Sequence, residues 1–231
     1  FRDKSKYMSS EKIFKVLVVG PPYCGKTSIV NFLSFNLFSE EYKTTLGVDF
    51  VEFRPRDCLA HKFPDDVAAS RIQLWDVGGQ EVYRGIVRYY YEGAHCCFVV
   101  CDISHPNSFQ KAIQWKRDID EGRTFPGSSS LLPSILFFNK TDLPHDLTDD
   151  DLAKIARDGN FTHWFKGSVK TMKETGETGL YDAVTTLIRE TISLSIKTEK
   201  EAEEAEKSDG EDSFVDFIKS HDKDKEKGCC K

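Results

Sequence analysis

The chain is 231 residues long, 39% hydrophobic and 30% charged, with a formal net charge of −6. That length holds one well-buried domain with an extension, not two large domains. The acidic balance argues against a nucleic-acid binder that relies on phosphate neutralisation, and no apolar run approaches the roughly 20 residues that cross a bilayer as a helix.

The opening stretch FRDKSKYMSS is charged throughout and lacks the apolar centre of a signal peptide. It begins with Phe, so a native N-terminus upstream of this sequence is expected. From residue 11 onward, short apolar runs alternate with amphipathic stretches. KVLVV (15–19), IQLW (72–75), CCFVVCD (96–102) and SILFFN (134–139) have the length of buried strands. DFVEFR (49–54) reads as a further strand, paired with 69–76 in a hairpin whose turn contains HKFPDD. Helical spacing covers roughly 26–36, 106–121, 149–158 and 178–194, as in Phe109, Ala112, Ile113 and Lys116. This alternation predicts a mainly parallel sheet covered by helices on both faces.

After about residue 197 the character changes. Residues 197–231 hold twelve acids and eight bases with little to bury, which predicts a mobile tail. FVDFI (214–218) is its lone apolar patch. Of the seven cysteines, Cys96, Cys97 and Cys101 fall in or beside an apolar strand and read as core filler, without His or Cys partners at metal-ligand spacing. The odd number, with Cys24, Cys58, Cys229 and Cys230, fits a reduced cytosolic protein better than a disulfide scaffold.

Two motifs carry chemistry. GPPYCGKT (20–27) fits G-x-x-x-x-G-K-[ST] between an expected strand and an expected helix. In such a loop, successive backbone N–H groups and the helix N-terminus face phosphates. Lys26 would reach the β- and γ-phosphates, and the Thr27 hydroxyl would ligate Mg²⁺. NKTD (139–142) ends the strand SILFF about 115 residues later. This resembles the N-K-x-D box of GTPases, in which an Asp carboxylate accepts from both the N1–H and the exocyclic amine of guanine, a pairing adenine cannot match. The resemblance implies Asp142 in that role and GTP or GDP as the nucleotide.

With these motifs the chain resembles the Ras-like small GTPases over residues 11 to about 195, and most closely the Rab family. The resemblance implies an α/β fold: a Ras-like P-loop G domain with a six-stranded, mainly parallel sheet, helices on both faces and a flexible C-terminal tail. The expected organisation is an N-terminal extension (1–10), the G domain (11–196) and a hypervariable tail (197–231). The nucleotide-binding loop is then Gly20, Tyr23, Cys24, Gly25, Lys26, Thr27 and Ser28. YKTTLGVDF (42–50) is similar to the first switch of Rabs, which makes Thr45, 18 residues after Thr27, a ligand of Mg²⁺ and the γ-phosphate. Phe38 matches the aromatic on the guanine edge, and Asp76 the acid that holds Mg²⁺ through water. Gly79 matches the γ-phosphate donor, and Gln80 the residue that positions the attacking water. Asn139, Lys140 and Asp142 form the guanine box. Ser168, Val169 and Lys170 stand where the family has Ser-Ala-Lys. Gln80 and Lys26 are the implied catalytic residues.

Phe50, Trp75 and Tyr90 match the aromatic triad that Rabs present to effectors. Cys229 and Cys230, in the ending GCCK, resemble a double prenylation site. The implied partners are an exchange factor, an activating protein, effectors, and a dissociation inhibitor and escort protein for which FVDFI is a docking candidate. The implied location is the cytoplasmic face of intracellular membranes, cycling with cytosol. IQLWD, FVVCDIS, FPGSSSLLPS and WFKGSVK are similar to the branch serving lysosome-related organelles.

Three departures stand out. Pro22 removes an N–H from the loop, and Tyr23 beside it is bulky enough to restrict an activating arginine. Val77-Gly78 has the spelling of the Arf branch and is expected to loosen the second switch. Phe50 and Trp75 lie 25 positions apart, with DCLAHKFPDDVAAS expected as a tolerated surface insertion. Slow intrinsic hydrolysis is the expectation; the alternative is a hydrolysis-deficient, nucleotide-bound scaffold.

Overall fold

The computed structural model describes residues 12–80 and 88–226. The expected 1–10 extension and the Cys229-Cys230 pair lie outside the described residues. One sheet has the strand order β2-β3-β1-β4-β5-β6. Its strands are β1 (Ile13–Val19), β2 (Val48–Phe53), β3 (Arg71–Val77), β4 (Cys96–Asp102), β5 (Ser134–Asn139) and β6 (His163–Gly167). All neighbours run parallel except β2 and β3, which pair antiparallel from Val48↔Val77 to Phe53↔Ile72. β4 and β5 are buried along their whole length. That is why both read in the sequence as unbroken apolar runs rather than as alternation.

The expected helices form at Lys26–Phe35, Pro106–Asp120 and Asp149–Asp158, and the last one starts at Gly179. Each has a local reason to begin or end. Pro106 sits in the first turn, where a missing N–H loses nothing. Thr148 and Asp151 form a reciprocal capping box. Asn36 closes the first helix in the left-handed conformation. Strand order reverses at β1, and right-handed crossovers therefore send the helices to both faces. Ile29 and Leu33 of the first helix meet Val184, Leu187 and Ile188 of the last over Val16, Val18, Ile72 and Leu74. In the Pro106–Asp120 helix, Phe109 packs edge-on against Phe138 at 5.8 Å, and Trp115 and Ile119 are fully buried.

Two elements differ from the sequence reading. β6 was named by no apolar run of its own; it is an edge strand whose side chains are mostly half-buried or exposed, so no period of two appears. The insertion between β2 and β3 is not a loose surface excursion. It folds into short helical pieces, Pro55–Cys58, Ala60–Lys62 and Asp65–Ala68, and buries Leu59, Phe63 and Val67. Phe63 meets Phe53 at 5.9 Å and Tyr181 at 5.6 Å, both edge-on. Arg189 forks onto Asp66 at 2.8 and 3.0 Å. The four-residue spacing of Leu59, Phe63 and Val67 is the signal that was there to read.

The chain divides into two compact units between Thr191 and Ile192. The last helix runs from Gly179 to Glu226, through the stretch expected to be a mobile tail. Ala, Glu and Lys favour helix, and local pairs such as Lys197–Glu201 at 3.7 Å add to that preference. Residues 199–205 are exposed, so this part of the helix buries no face, as its composition implies. Among the described residues no helix is long and apolar enough to cross a membrane.

Candidate functional site

Ligands of open α/β sheets bind beyond the carboxyl ends of the strands, where the strand order reverses. The loop 20–25 leaves β1 at that point. Gly20 has φ 144° and lies so close to β4 that an added Cβ would sit 2.1 Å from the Val100 carbonyl oxygen. Gly25 has φ 96° and faces the Asn139 amide nitrogen, 2.3 Å from where its Cβ would be. Only glycine meets both demands. The turn delivers Lys26 to the helix start, where Nζ donates to the Gly20 carbonyl at 3.0 Å and the Pro21 carbonyl at 2.8 Å. The Cys24 side chain is fully buried, and burial pushes its thiol pKa up. What Cys24 gives the site is its carbonyl.

That carbonyl accepts from Asn139 Nδ2 at 2.9 Å, while Asn139 Oδ1 accepts from the Val169 amide at 3.2 Å. Asn139 thus ties the phosphate loop to the 168–170 loop. Lys140, with φ 69°, pairs with Asp102 at 2.7 Å. Burial opposes ionisation of Asp102, but Lys140 and Ser104 outweigh it and hold the carboxyl below its usual range. Asp142 is exposed at the groove wall. The Ser168 amide donates to Glu177 Oε2 at 3.2 Å, whereas Ser168 Oγ is buried without a partner.

Three oxygen groups converge below the loop. Thr27 Oγ1 and Thr45 Oγ1 lie 2.9 Å apart, and both hydroxyls reach Asp76 Oδ2, Thr45 at 3.3 Å. Asp76 is 1% exposed, and its Oδ1 is buried without a hydrogen-bond partner. Burial raises the Asp76 pKa, and the Thr27 hydroxyl and Lys26 ammonium only partly offset it. An orphaned carboxylate oxygen beside two hydroxyls fits a small hard cation. Mg²⁺ suits such a set, because it takes few protein oxygens and completes its octahedron with phosphate and water.

These groups surround a groove of about 610 Å³, a size ordinary for a cofactor site. Tyr23, Ser28, Phe38, Thr45, Gly79, Gln80, Lys140, Val169 and Lys170 all line it; Gly20, Cys24 and Asp76 stand behind the lining. Gly79 packs on the phosphate loop, with an added Cβ 2.6 Å from Pro22 N. Gly78 also has a steric use. Its N–H donates to the Gly47 carbonyl at 2.8 Å, and a Cβ there would meet the Thr45 carbonyl oxygen at 2.6 Å. The glycine therefore makes room for the first switch.

Outside the groove, Phe50 meets Trp75 at 5.3 Å and Trp75 meets Tyr90 at 6.1 Å, with Lys15 Nζ 4.0 Å from the Trp75 ring centroid. The three aromatics expected to act together do form one strip. The sequence reading missed Glu40, Tyr42 and Glu177. Tyr42 lies inside the quoted switch motif and could have been named there; the other two are brought to the site only by the fold.

A sheet of this order, with a phosphate loop after β1 and an Asn-Lys-x-Asp box after β5, defines a P-loop domain for a guanine nucleotide. The Ras family profile matches residues 15–190. Rab-7L1 of Rattus norvegicus is 37% identical over 170 residues, covering 73% of this chain and 79% of the relative. Rab-32A of Dictyostelium discoideum is 36% identical over 164 residues, covering 70% and 72%. Rab-32 of Mus musculus is 38% identical over 162 residues, covering 69% of each. The chain belongs to the Rab family of Ras-type small GTPases. As a member it binds guanine nucleotide, hydrolyses GTP and regulates traffic at intracellular membranes, with exchange factors, activating proteins and effectors as partners.

Proposed function

We propose that the chain is a slow GTP-hydrolysing switch on the cytoplasmic face of lysosome-related or endosomal membranes, cycling with cytosol. The observation that carries this reading is the convergence of Thr27, Thr45 and the orphaned Asp76 oxygen under the phosphate loop. In this reading the loop amides and Lys26 hold the β- and γ-phosphates, and Asp142, Ser168 and Val169 hold the guanine. Mg²⁺, held by Thr27, Thr45 and, through water, Asp76, would neutralise charge developing on the phosphates. Gln80 orients the attacking water. Thr45 and Gly79 sense the γ-phosphate, and their ordering presents Phe50, Trp75 and Tyr90 to effectors. Residues 11–196 act as the G domain. The tail from 197 carries FVDFI toward the dissociation inhibitor and escort protein, and Cys229 and Cys230 take the prenyl groups.

A second reading, a scaffold that holds nucleotide without hydrolysing it, is favoured by one observation: Tyr23 stacks on Tyr42 at the rim of the groove. Single-turnover GTP hydrolysis, with Gln80→Leu in parallel, separates the two. Slow hydrolysis that the substitution abolishes is expected. Equal persistence of GTP in both proteins would overturn the switch reading in favour of the scaffold.

A further inference from the structure

Residues 37–47 carry no strand or helix, so the backbone of this segment is not held by a ladder. Apart from backbone bonds at its two ends, Leu37 to Asn31 and Gly78 to Gly47, side chains fasten it along the groove. Lys173 donates to the Asn36 carbonyl. Lys170 pairs with Glu40 at 2.6 Å. Tyr42 stacks on Tyr23, and Thr45 meets Thr27 at 2.9 Å. Tyr23 and Tyr42 face each other with ring centroids 4.3 Å apart and planes 29° apart, a stacked pair. Neither ring belongs to a core, since Tyr23 is 65% and Tyr42 50% exposed. They come from opposite walls of the groove, one from the phosphate loop and one from the segment that covers it. Tyr23 also sits at φ 65°, a conformation unfavourable for a residue with a bulky side chain. The stack is what its ring gains there.

We propose that Tyr23 and Tyr42 form a clasp that retains bound nucleotide, fastening segment 36–45 to the phosphate loop and setting the rate at which GDP or GTP leaves. The proposal rests on guanine-nucleotide binding in the groove described above and adds the step that limits release. Of the ties along the segment, the stack should dominate. Glu40 and Lys170 are both largely exposed, and an exposed ion pair contributes little and is screened by salt. An aromatic pair keeps its worth in salt. Tyr42 stands three residues before Thr45, in the segment that the γ-phosphate orders in the reading above, so the stack should hold GTP more firmly than GDP. Differences of this kind show mainly in the off-rate.

The test is release of a fluorescent GDP and of a fluorescent non-hydrolysable GTP analogue from the full chain in Mg²⁺. Wild type is compared with Tyr23→Ala, Tyr42→Ala, the double substitution and Tyr23→Phe. Alanine keeps the backbone demand at residue 23 that glycine would remove, so it isolates the ring. Each single alanine is expected to speed release of the GTP analogue about two- to tenfold, and of GDP by less. The double substitution should go no further than the faster single, because one contact is lost in all three. Tyr23→Phe should restore the slow rate, and release should change little between low and high salt. Unchanged release in Tyr23→Ala, or effects that simply add, would overturn the clasp while leaving nucleotide binding intact. Failure of the wild type to load guanine nucleotide would overturn the underlying reading and the clasp with it.

Discussion

Asn139 donates its side-chain amide to the Cys24 carbonyl at 2.9 Å, joining residues 115 positions apart. Its other end accepts from the Val169 amide, so each end of this side chain has a protein partner. Asp142, three residues on, is exposed at the groove. The two residues of one motif should therefore fail in different ways. Asn139→Ala orphans two buried backbone groups, at about 1–3 kcal/mol each. It is expected to lower stability and nucleotide affinity together. Asp142→Ala should leave stability within about 0.5 kcal/mol and lower GTP affinity on the order of 10²-fold. Chemical denaturation beside nucleotide titration checks both; matching profiles would refute the division of labour.

Asp76 supplies a pH argument. Burial raises its pKa above the ordinary 3.8, with Thr27 and Lys26 opposing. A carboxyl raised on folding contributes stability that is complete below the unfolded pKa and is lost as pH rises through the folded pKa. Its ionisation therefore works against the fold when no cation or nucleotide is bound. Asp76→Asn is expected to raise Tm in EDTA without nucleotide above the folded pKa, and to flatten the decline of Tm as pH rises through it. With GTP and Mg²⁺ the same substitution should lower Tm. A lower Tm in EDTA would show that the carboxylate is stabilised by more than the two hydroxyls.

The insertion between β2 and β3 can be tested at Phe63, which is 6% exposed between Phe53 and Tyr181. Phe63→Ala should cost about 3–5 kcal/mol in urea unfolding of the full chain. A loss under about 1 kcal/mol would return the segment to the status of a tolerated excursion.

Gly78→Ala probes the mixed switch spelling. The added Cβ would lie 2.6 Å from the Thr45 carbonyl oxygen, so the first switch must give way. GTP affinity is expected to fall about tenfold, at the lower end of what overpacking costs. Hydrogen exchange should also rise at the amides from 44 to 48. Unchanged affinity would mean that Gly78 makes no room that matters.

The phosphate loop and five of the six strands were legible because each rests on local physics; the guanine box came from resemblance. Gly20 and Gly25 answer backbone demands within a few residues of themselves, and β4 and β5 announce burial by unbroken apolarity. The triad Phe50, Trp75 and Tyr90 came from resemblance, and it does form one strip. β6 was not legible, since an edge strand with mixed exposure lacks a period. The steric use of Gly78 was not legible, because it depends on what lies 2.6 Å away.

By itself, then, the order of residues determined a loop shaped for phosphates and, through resemblance, named a candidate carboxylate for guanine and candidate hydroxyls and an acid for a hard cation. Only the tertiary structure decided how these are spent. It made Asn139 a tie between loops, seated Phe63 against Tyr181, and set Tyr23 over Tyr42. Donor inventory and backbone conformation are carried by each residue and its near neighbours. Contacts between distant segments exist only once the sheet has brought its loops to one end.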